Sequence, residues 1–131
     1  MASEILIVSP DSANLAATLQ VLANAGYLTS GTTTFEEGKR LLDTRSPGLV
    51  IADERLGDFN GLHLILHGRA AHPDLAGIVT TPTPVVGLAA DARRLEVDYV
   101  VKPASTAGWL EPVSHALDTA AARQRLQKIA S

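Results

Sequence analysis

The stretch ILIVSPDSANLAATLQVLANAG, residues 5–26, has the pattern of a short strand followed at once by a helix. Ile5–Val8 is apolar, too short for a helix and rich in β-branched residues, so it predicts a buried strand. From Ser12 onward apolar residues recur at helical spacing, and Gly26 follows as a helix stop. A strand joined to a helix by so short a loop is typical of parallel sheets, whose neighbouring strands require a crossover connection.

The same unit recurs four more times along the chain. The further strands are predicted at residues 27–33, Leu49–Ala52, Ile78–Thr81 and Tyr99–Val101. The further helices are predicted after the capping box Thr34–Glu37, after a loop at residues 57–61, over residues 85–95, and from Trp109 to at least Ala120. Together the units predict one doubly wound α/β domain, residues 1–122, with helices on both faces of a parallel sheet. Residues 123–131 are either the end of the last helix or the start of a linker.

Composition restricts the classes of function. The chain has 131 residues, of which 46% are hydrophobic and 19% charged, as is typical of one globular domain. A net charge of −3 gives no electrostatic reason to expect direct nucleic-acid binding. There is no cysteine, no signal-peptide pattern and no apolar stretch long enough to span a bilayer. We therefore expect a cytoplasmic protein without membrane contact.

Polar residues stand at the ends of four of the five predicted strands. Asp11 lies just past the first strand, Asp53 after the third, Thr81 at the end of the fourth and Lys102 after the fifth. The carboxyl ends of parallel strands meet at one edge of the sheet, where open α/β folds bind ligands. A carboxylate, a hydroxyl and an ammonium group together indicate handling of a phosphoryl group. The carboxylate is then the nucleophile, and the other two donate hydrogen bonds to phosphoryl oxygens.

Three motifs resemble those of one known family. The stretches LVIADERLGDFNGL (residues 49–62), IVTT (78–81) and DYVVKP (98–103) are similar to the phosphoacceptor, hydroxyl and lysine motifs of two-component response-regulator receiver domains. The resemblance covers about residues 4 to 122, with the motifs in the family's order. It implies a flavodoxin-like fold whose five strands lie in the order 2-1-3-4-5.

The resemblance also implies a role for each matching residue. Asp53 matches the aspartate that accepts a phosphoryl group from a histidine kinase or phosphotransfer protein. Thr81 matches the hydroxyl residue that reorients toward the phosphoryl group, and Lys102 matches the lysine that pairs with it. Tyr99 matches the aromatic switch that turns inward when Thr81 moves. Residues 85–120 correspond to the surface that the family commonly uses for a homodimer or an effector.

Ser9 and Pro10 stand where receiver domains usually carry two adjacent acidic residues that bind Mg²⁺. Mg²⁺ requires oxygen ligands in near-octahedral geometry and is typically held by one or two carboxylates. Pro10 offers no side-chain oxygen and Ser9 only a neutral hydroxyl, so Asp53 remains as one strong ligand. Asp11 is either a second ligand or the cap of the following helix, which is the commoner role there. We expect a Mg²⁺ site at Asp53 and Asp11 to be weak or absent.

Two functional hypotheses therefore remain open. The first is a signal-transduction receiver that is still phosphorylated at Asp53. The second is a pseudo-receiver, which keeps the fold as a phosphorylation-independent module for protein interaction. An enzyme or a nucleotide binder is not expected, because the chain has no P-loop, no Gly-x-Gly-x-x-Gly and no Gly-x-Ser-x-Gly motif. A further departure from the family is Glu96-Val97, where receiver domains usually have Gly-Ala.

Overall fold

The apolar runs that predict strands form a five-stranded parallel sheet within residues 3–130, the part of the chain that the computed structural model describes. Its strands are β1 (Glu4–Val8), β2 (Leu28–Thr32), β3 (Leu49–Asp53), β6 (Ala76–Thr81) and β7 (Asp98–Val101), while β4 (Arg55–Leu56) and β5 (Phe59–Asn60) form a separate antiparallel ribbon. The order across the sheet is β2-β1-β3-β6-β7. With the ribbon left out of the count this is the order 2-1-3-4-5, so the prediction of a doubly wound, flavodoxin-like fold is confirmed.

The helices cover both faces of this sheet. They are α1 (Ser12–Asn24), α2 (Phe35–Thr44), α3 (Gly61–Ala71), α4 (Leu88–Arg94) and α5 (Leu110–Ala130), and a 3-10 turn at Thr106–Trp109 precedes α5. Successive residues of a strand point to opposite faces, so each strand contributes to two cores. Leu6, Val8 and Val50 pack in one core with residues of α2, α3 and α4. Ile5 and Ile51 pack in the other core with residues of α1 and α5.

The helix ends agree with the sequence pattern at two positions. The Thr34 side chain accepts a hydrogen bond from the backbone N–H of Glu37 at 3.2 Å, as the capping box predicts. At the other end of the chain α5 continues to Ala130, so residues 123–130 are helical. None of the helices within residues 3–130 is both long and apolar enough to cross a membrane.

The fourth helix is shorter than the sequence predicts. The pattern favoured a helix over residues 85–95, but α4 begins at Leu88. Gly87 has a φ of 85°, and a residue in that conformation does not continue a right-handed helix. Val85 and Val86 therefore lie in a loop, where Val86 is fully exposed. The prediction of helix for residues 85–87 is wrong for this reason.

The predicted loop at residues 57–61 contains β5, the second strand of the ribbon, and the start of α3. Gly57 makes the turn with a φ of 63°, and Leu56 pairs with Phe59 across the ribbon. The ring of Phe59 stacks on that of Phe35, with 4.4 Å between the centroids. Strands of two residues are too short to show periodicity, so the ribbon had no signal in the sequence.

Glu96 adopts a left-handed backbone conformation between α4 and β7. Its φ is 56°, and within residues 3–130 it alone among residues other than glycine has a positive φ. Its carbonyl oxygen accepts hydrogen bonds from Arg69 Nη2 at 2.8 Å and from Arg123 Nη1 at 3.4 Å. Its carboxylate lies 3.8 Å from Arg123. These contacts connect the end of α4 to α3 and α5, at a position where glycine would adopt the same conformation without strain.

The substitution Glu96→Gly is expected to raise the free energy of unfolding by about 1 kcal/mol, because it removes the left-handed strain. The lost ion pair matters less, since the Glu96 side chain is 68% exposed. Glu96→Ala is the matched control, because it removes the carboxylate but keeps the strain, and it should lower stability slightly. Urea denaturation of the three proteins measures both effects. Equal stability changes in the two variants would contradict the argument from strain.

Candidate functional site

Asp53 ends β3 at the carboxyl edge of the sheet. The N-terminus of α3 packs closely behind it: a Cβ atom at Gly61 would lie 2.2 Å from the Asp53 carbonyl oxygen. Asn60 caps α3 by accepting a hydrogen bond from the Leu62 N–H at 2.7 Å. The N-terminus of α3 can therefore pack this close to the Asp53 backbone only because residue 61 is a glycine.

The strand register brings Ser9 beside Asp53. Val8 pairs with Ala52 across β1 and β3, so the residues that follow them are neighbours. Ser9 Oγ donates a hydrogen bond to Asp53 Oδ2 at 3.2 Å. Ser9 is 3% exposed, so this hydroxyl is removed from solvent.

Lys102 reaches the same carboxylate from the other side of β3. Thr81 pairs with Val101 across β6 and β7, and Lys102 is the next residue. Its Nζ donates to Asp53 Oδ2 at 2.9 Å, and the two side chains are only 16% and 13% exposed. The structure thus brings three residues together, one following β1, one ending β3 and one following β7.

Burial controls the protonation of this carboxylate. Removal from water raises the pKa of the Asp53 carboxyl above its ordinary value of 3.8. The hydrogen bond and charge of Lys102, and then the hydrogen bond from Ser9, lower the pKa and offset only part of the effect of burial. The ionised form of Asp53 therefore depends on these two donors.

Thr81 and Tyr99, on the neighbouring strands β6 and β7, form a second hydrogen-bonded pair. Thr81 is buried, and its Oγ1 lies 3.1 Å from the Tyr99 hydroxyl. That hydroxyl also accepts a hydrogen bond from the Val85 backbone N–H at 3.1 Å. Within residues 3–130 the Asp53 carboxylate is bonded by Ser9 and Lys102, not by Thr81. The structure thus connects Thr81 to the loop before α4 through Tyr99.

Asp11 does not join the site. Its carboxylate accepts a hydrogen bond from the Asn14 backbone N–H at 3.1 Å and caps α1, the commoner of its two expected roles. Among the described residues no group of three or more His, Cys, Asp or Glu is arranged to hold a metal ion. The side-chain oxygens joined at the site are those of the Asp53 carboxylate, already paired with an ammonium, and of the neutral Ser9 hydroxyl. This donor set does not fit Mg²⁺, which favours several hard oxygen ligands.

Sequence reasoning missed the contribution of Ser9. It treated the residue as a poor metal ligand and not as a hydrogen-bond donor to Asp53. The position of Ser9 in the sequence could have indicated this role. Ser9 follows the strand next to β3, and a small hydroxyl residue there can reach a carboxylate one strand away.

Comparisons with known proteins agree with this fold. No family model matches the chain. It is 30% identical over 101 residues to the photosynthetic apparatus regulatory protein RegA of Rhodobacter capsulatus, covering 76% of this chain and 55% of RegA. It is 33% identical over 101 residues to the acid tolerance regulatory protein ActR of Sinorhizobium medicae, covering 76% of this chain and 52% of ActR. The chain thus spans about half the length of these relatives.

A solved structure shows the same architecture. The CheY-like response-regulator receiver domain protein from Methanospirillum hungatei superimposes with a TM-score of 0.84 at 26% sequence identity, covering 94% of this chain and 99% of that one. The sheet order, the carboxylate at the end of β3 and these similarities define a class of signalling module. The chain is a CheY-like receiver domain of the response-regulator family.

The raised pKa of Asp53 predicts a pH dependence of stability. Between the ordinary and the raised pKa the native state binds more protons than the unfolded state, so the free energy of unfolding falls as pH rises through this window. Relative to Asp53→Asn, the wild type should therefore lose stability from about pH 4 upward, by about 1.4 kcal/mol for each unit of pKa difference. Urea denaturation of both proteins from about pH 3 to pH 7 measures this. A wild type that gains stability over Asp53→Asn with rising pH would show that Lys102 outweighs burial.

Proposed function

We propose that this receiver domain takes part in a phosphorelay, accepting a phosphoryl group on Asp53 from a histidine kinase or a phosphotransfer protein. The observation that carries the proposal is the Asp53–Lys102 ion pair of 2.9 Å at the carboxyl edge of the sheet. Membership of the response-regulator family and the likeness to RegA and ActR support it. The output function of the relay is then carried by an effector that is joined to the receiver or bound by it.

The transfer requires a nucleophile and a positive charge in one place. A carboxylate oxygen of Asp53 attacks the phosphorus of a phosphohistidine, the P–N bond breaks, and the imidazole nitrogen leaves with the bonding electrons. The Lys102 ammonium donates hydrogen bonds to the phosphoryl oxygens and stabilises their charge. In the resting protein the same ammonium holds the carboxylate in position. We propose that Mg²⁺ binds this site weakly or not at all, since the donor set lacks a second free carboxylate.

The contact between Thr81 and Tyr99 supports a switch. A phosphoryl group on Asp53 adds acceptor oxygens at the edge of the sheet, and the Thr81 hydroxyl then exchanges Tyr99 for the phosphoryl group. Tyr99 is thereby free to reorient, and the loop at Val85 loses its hydrogen bond. This loop carries the fully exposed Val86 and belongs to the surface of residues 85–120 that we assign to a partner, either an effector or a second copy of the chain.

The pseudo-receiver remains the second candidate. Two observations favour it. Ser9 and Lys102 both donate hydrogen bonds to Asp53 Oδ2, and Asp11 serves as a helix cap. A carboxylate that is held by two donors within the protein stabilises one conformation. The domain would then serve as a constant interaction module.

Phosphorylation by a small-molecule donor separates the two candidates. Incubation with acetyl phosphate is expected to add one hydroxylamine-labile phosphoryl group to the wild type and none to Asp53→Asn, as measured by intact-protein mass spectrometry. Asp11→Asn is the matched control, because an asparagine keeps the cap acceptor while removing the charge, and it should still be modified. A wild type that stays unmodified with acetyl phosphate and with a phosphorylated phosphotransfer protein would support the pseudo-receiver.

The variant Tyr99→Phe tests the switch. It removes a hydroxyl with two hydrogen bonds, so the free energy of unfolding should fall by about 1 kcal/mol. In the wild type, phosphorylation should shift the NMR amide signals of residues 85–88, and in Tyr99→Phe these shifts should be lost. Tyr27→Phe, in the core on the opposite face, is the control and should keep them. Unchanged shifts in Tyr99→Phe would rule out Tyr99 as the connection.

A further inference from the structure

The Ser9 hydroxyl accepts one hydrogen bond and donates another. Its oxygen accepts a hydrogen bond from the Asp11 backbone N–H at 3.3 Å, and its proton is donated to Asp53 Oδ2 at 3.2 Å. A hydroxyl has a single proton, so acceptance from Asp11 leaves that proton for the carboxylate. The backbone turn after β1 therefore orients Ser9 toward Asp53.

Ser9 and Lys102 hold the same atom of Asp53. Both donate to Oδ2, one from beyond β1 and the other from beyond β7, on opposite sides of β3. Oδ1 receives no hydrogen bond from either of them. Ser9 and Lys102 thus fix the carboxylate through one oxygen and leave the other without a hydrogen bond from either of them.

The Asp53 carboxylate already has a positive partner that belongs to the protein. One carboxylate, Asp53, faces one ammonium, Lys102, at 2.9 Å. Asp11 caps α1, and its negative charge raises the pKa of Asp53 without a hydrogen bond between the two side chains. Pro10 contributes no side-chain donor or acceptor. A divalent cation here would meet a neutral ion pair, and it would have to displace Lys102 or Ser9 to reach Oδ2.

We propose that Ser9 is the positioning residue of Asp53 and replaces a metal ion in that role, so that the site operates without a divalent cation. The Ser9 hydroxyl and the Lys102 ammonium together set the Asp53 side chain in one rotamer with Oδ1 as the attacking oxygen. The kinetic part of this inference rests on the proposed phosphoacceptor function. The predicted χ1 rotamer of Asp53 and the predicted effect of Mg²⁺ on the Tm do not depend on that function.

The first experiment measures these two properties without any phosphoryl donor. NMR three-bond couplings at Asp53 should report a single χ1 rotamer in the wild type and averaging in Ser9→Ala, with Ser9→Thr restoring the single rotamer. Millimolar Mg²⁺ should leave the wild-type Tm unchanged. It should raise the Tm of a Ser9→Asp/Pro10→Asp double variant, since a ligand that binds the native state stabilises it.

Ser9 is buried, so the double variant could fail to fold, and a second variant keeps the test decisive. Pro10→Asp changes an exposed position and should show a smaller Mg²⁺-dependent rise in Tm. An increase in the wild-type Tm as large as in either variant would overturn the proposal. A single Asp53 rotamer in Ser9→Ala would also overturn it.

The second experiment measures the rate of Asp53 modification by acetyl phosphate. The wild-type rate should change less than about twofold between excess EDTA and millimolar Mg²⁺. Ser9→Ala should be slower by about tenfold, the usual effect of losing one hydrogen bond to a charged group, and Ser9→Thr should recover most of the rate. A wild type that requires Mg²⁺ contradicts the proposal. No modification of any variant contradicts the phosphoacceptor function instead, while the rotamer and the Tm still decide the role of Ser9.

Discussion

The ion pair between Asp53 and Lys102 is the interaction on which the functional edge of this domain depends. Its two members are far apart in the sequence and meet at 2.9 Å because β6 alone lies between their strands. In the parallel register Asp53 is level with Thr80 and Val100, so Lys102 follows two residues further along, at the same carboxyl edge. The chemistry of the site is therefore a consequence of the doubly wound topology.

Burial of this ion pair costs solvation free energy, so its two charged groups need hydrogen-bonding partners within the protein. Both side chains are largely buried, and an unpaired charge in such a position is strongly unfavourable. Burial raises the pKa of Asp53, and Lys102 and Ser9 counteract that rise. The neutral hydroxyl of Ser9 adds a donor without adding a charge. A second carboxylate in its position would leave excess negative charge, which is the condition that calls for a metal ion.

Much of the fold was readable from the sequence because its signals are local. The run Ile5–Val8, the pattern of α1 and the cap at Thr34 all appear where hydrophobic periodicity and capping chemistry predict them. The start of α4 was not readable, because it depends on the left-handed conformation of Gly87. The ribbon of β4 and β5 was not readable either, because its strands are too short to show periodicity and because Phe59 stacks on Phe35, a contact between distant segments.

The sequence by itself determined the order of strands and helices, the family, and the residues Asp53, Thr81, Tyr99 and Lys102 as the candidate site. Those follow from periodicity and from motifs within short windows. Only the tertiary structure decided between the two roles of Asp11, and only it showed that Ser9 donates to Asp53. It also showed which oxygen of the carboxylate is held. Hydrogen bonds depend on distances of a few tenths of an ångström between residues brought together by the fold, and no sequence pattern encodes those distances directly.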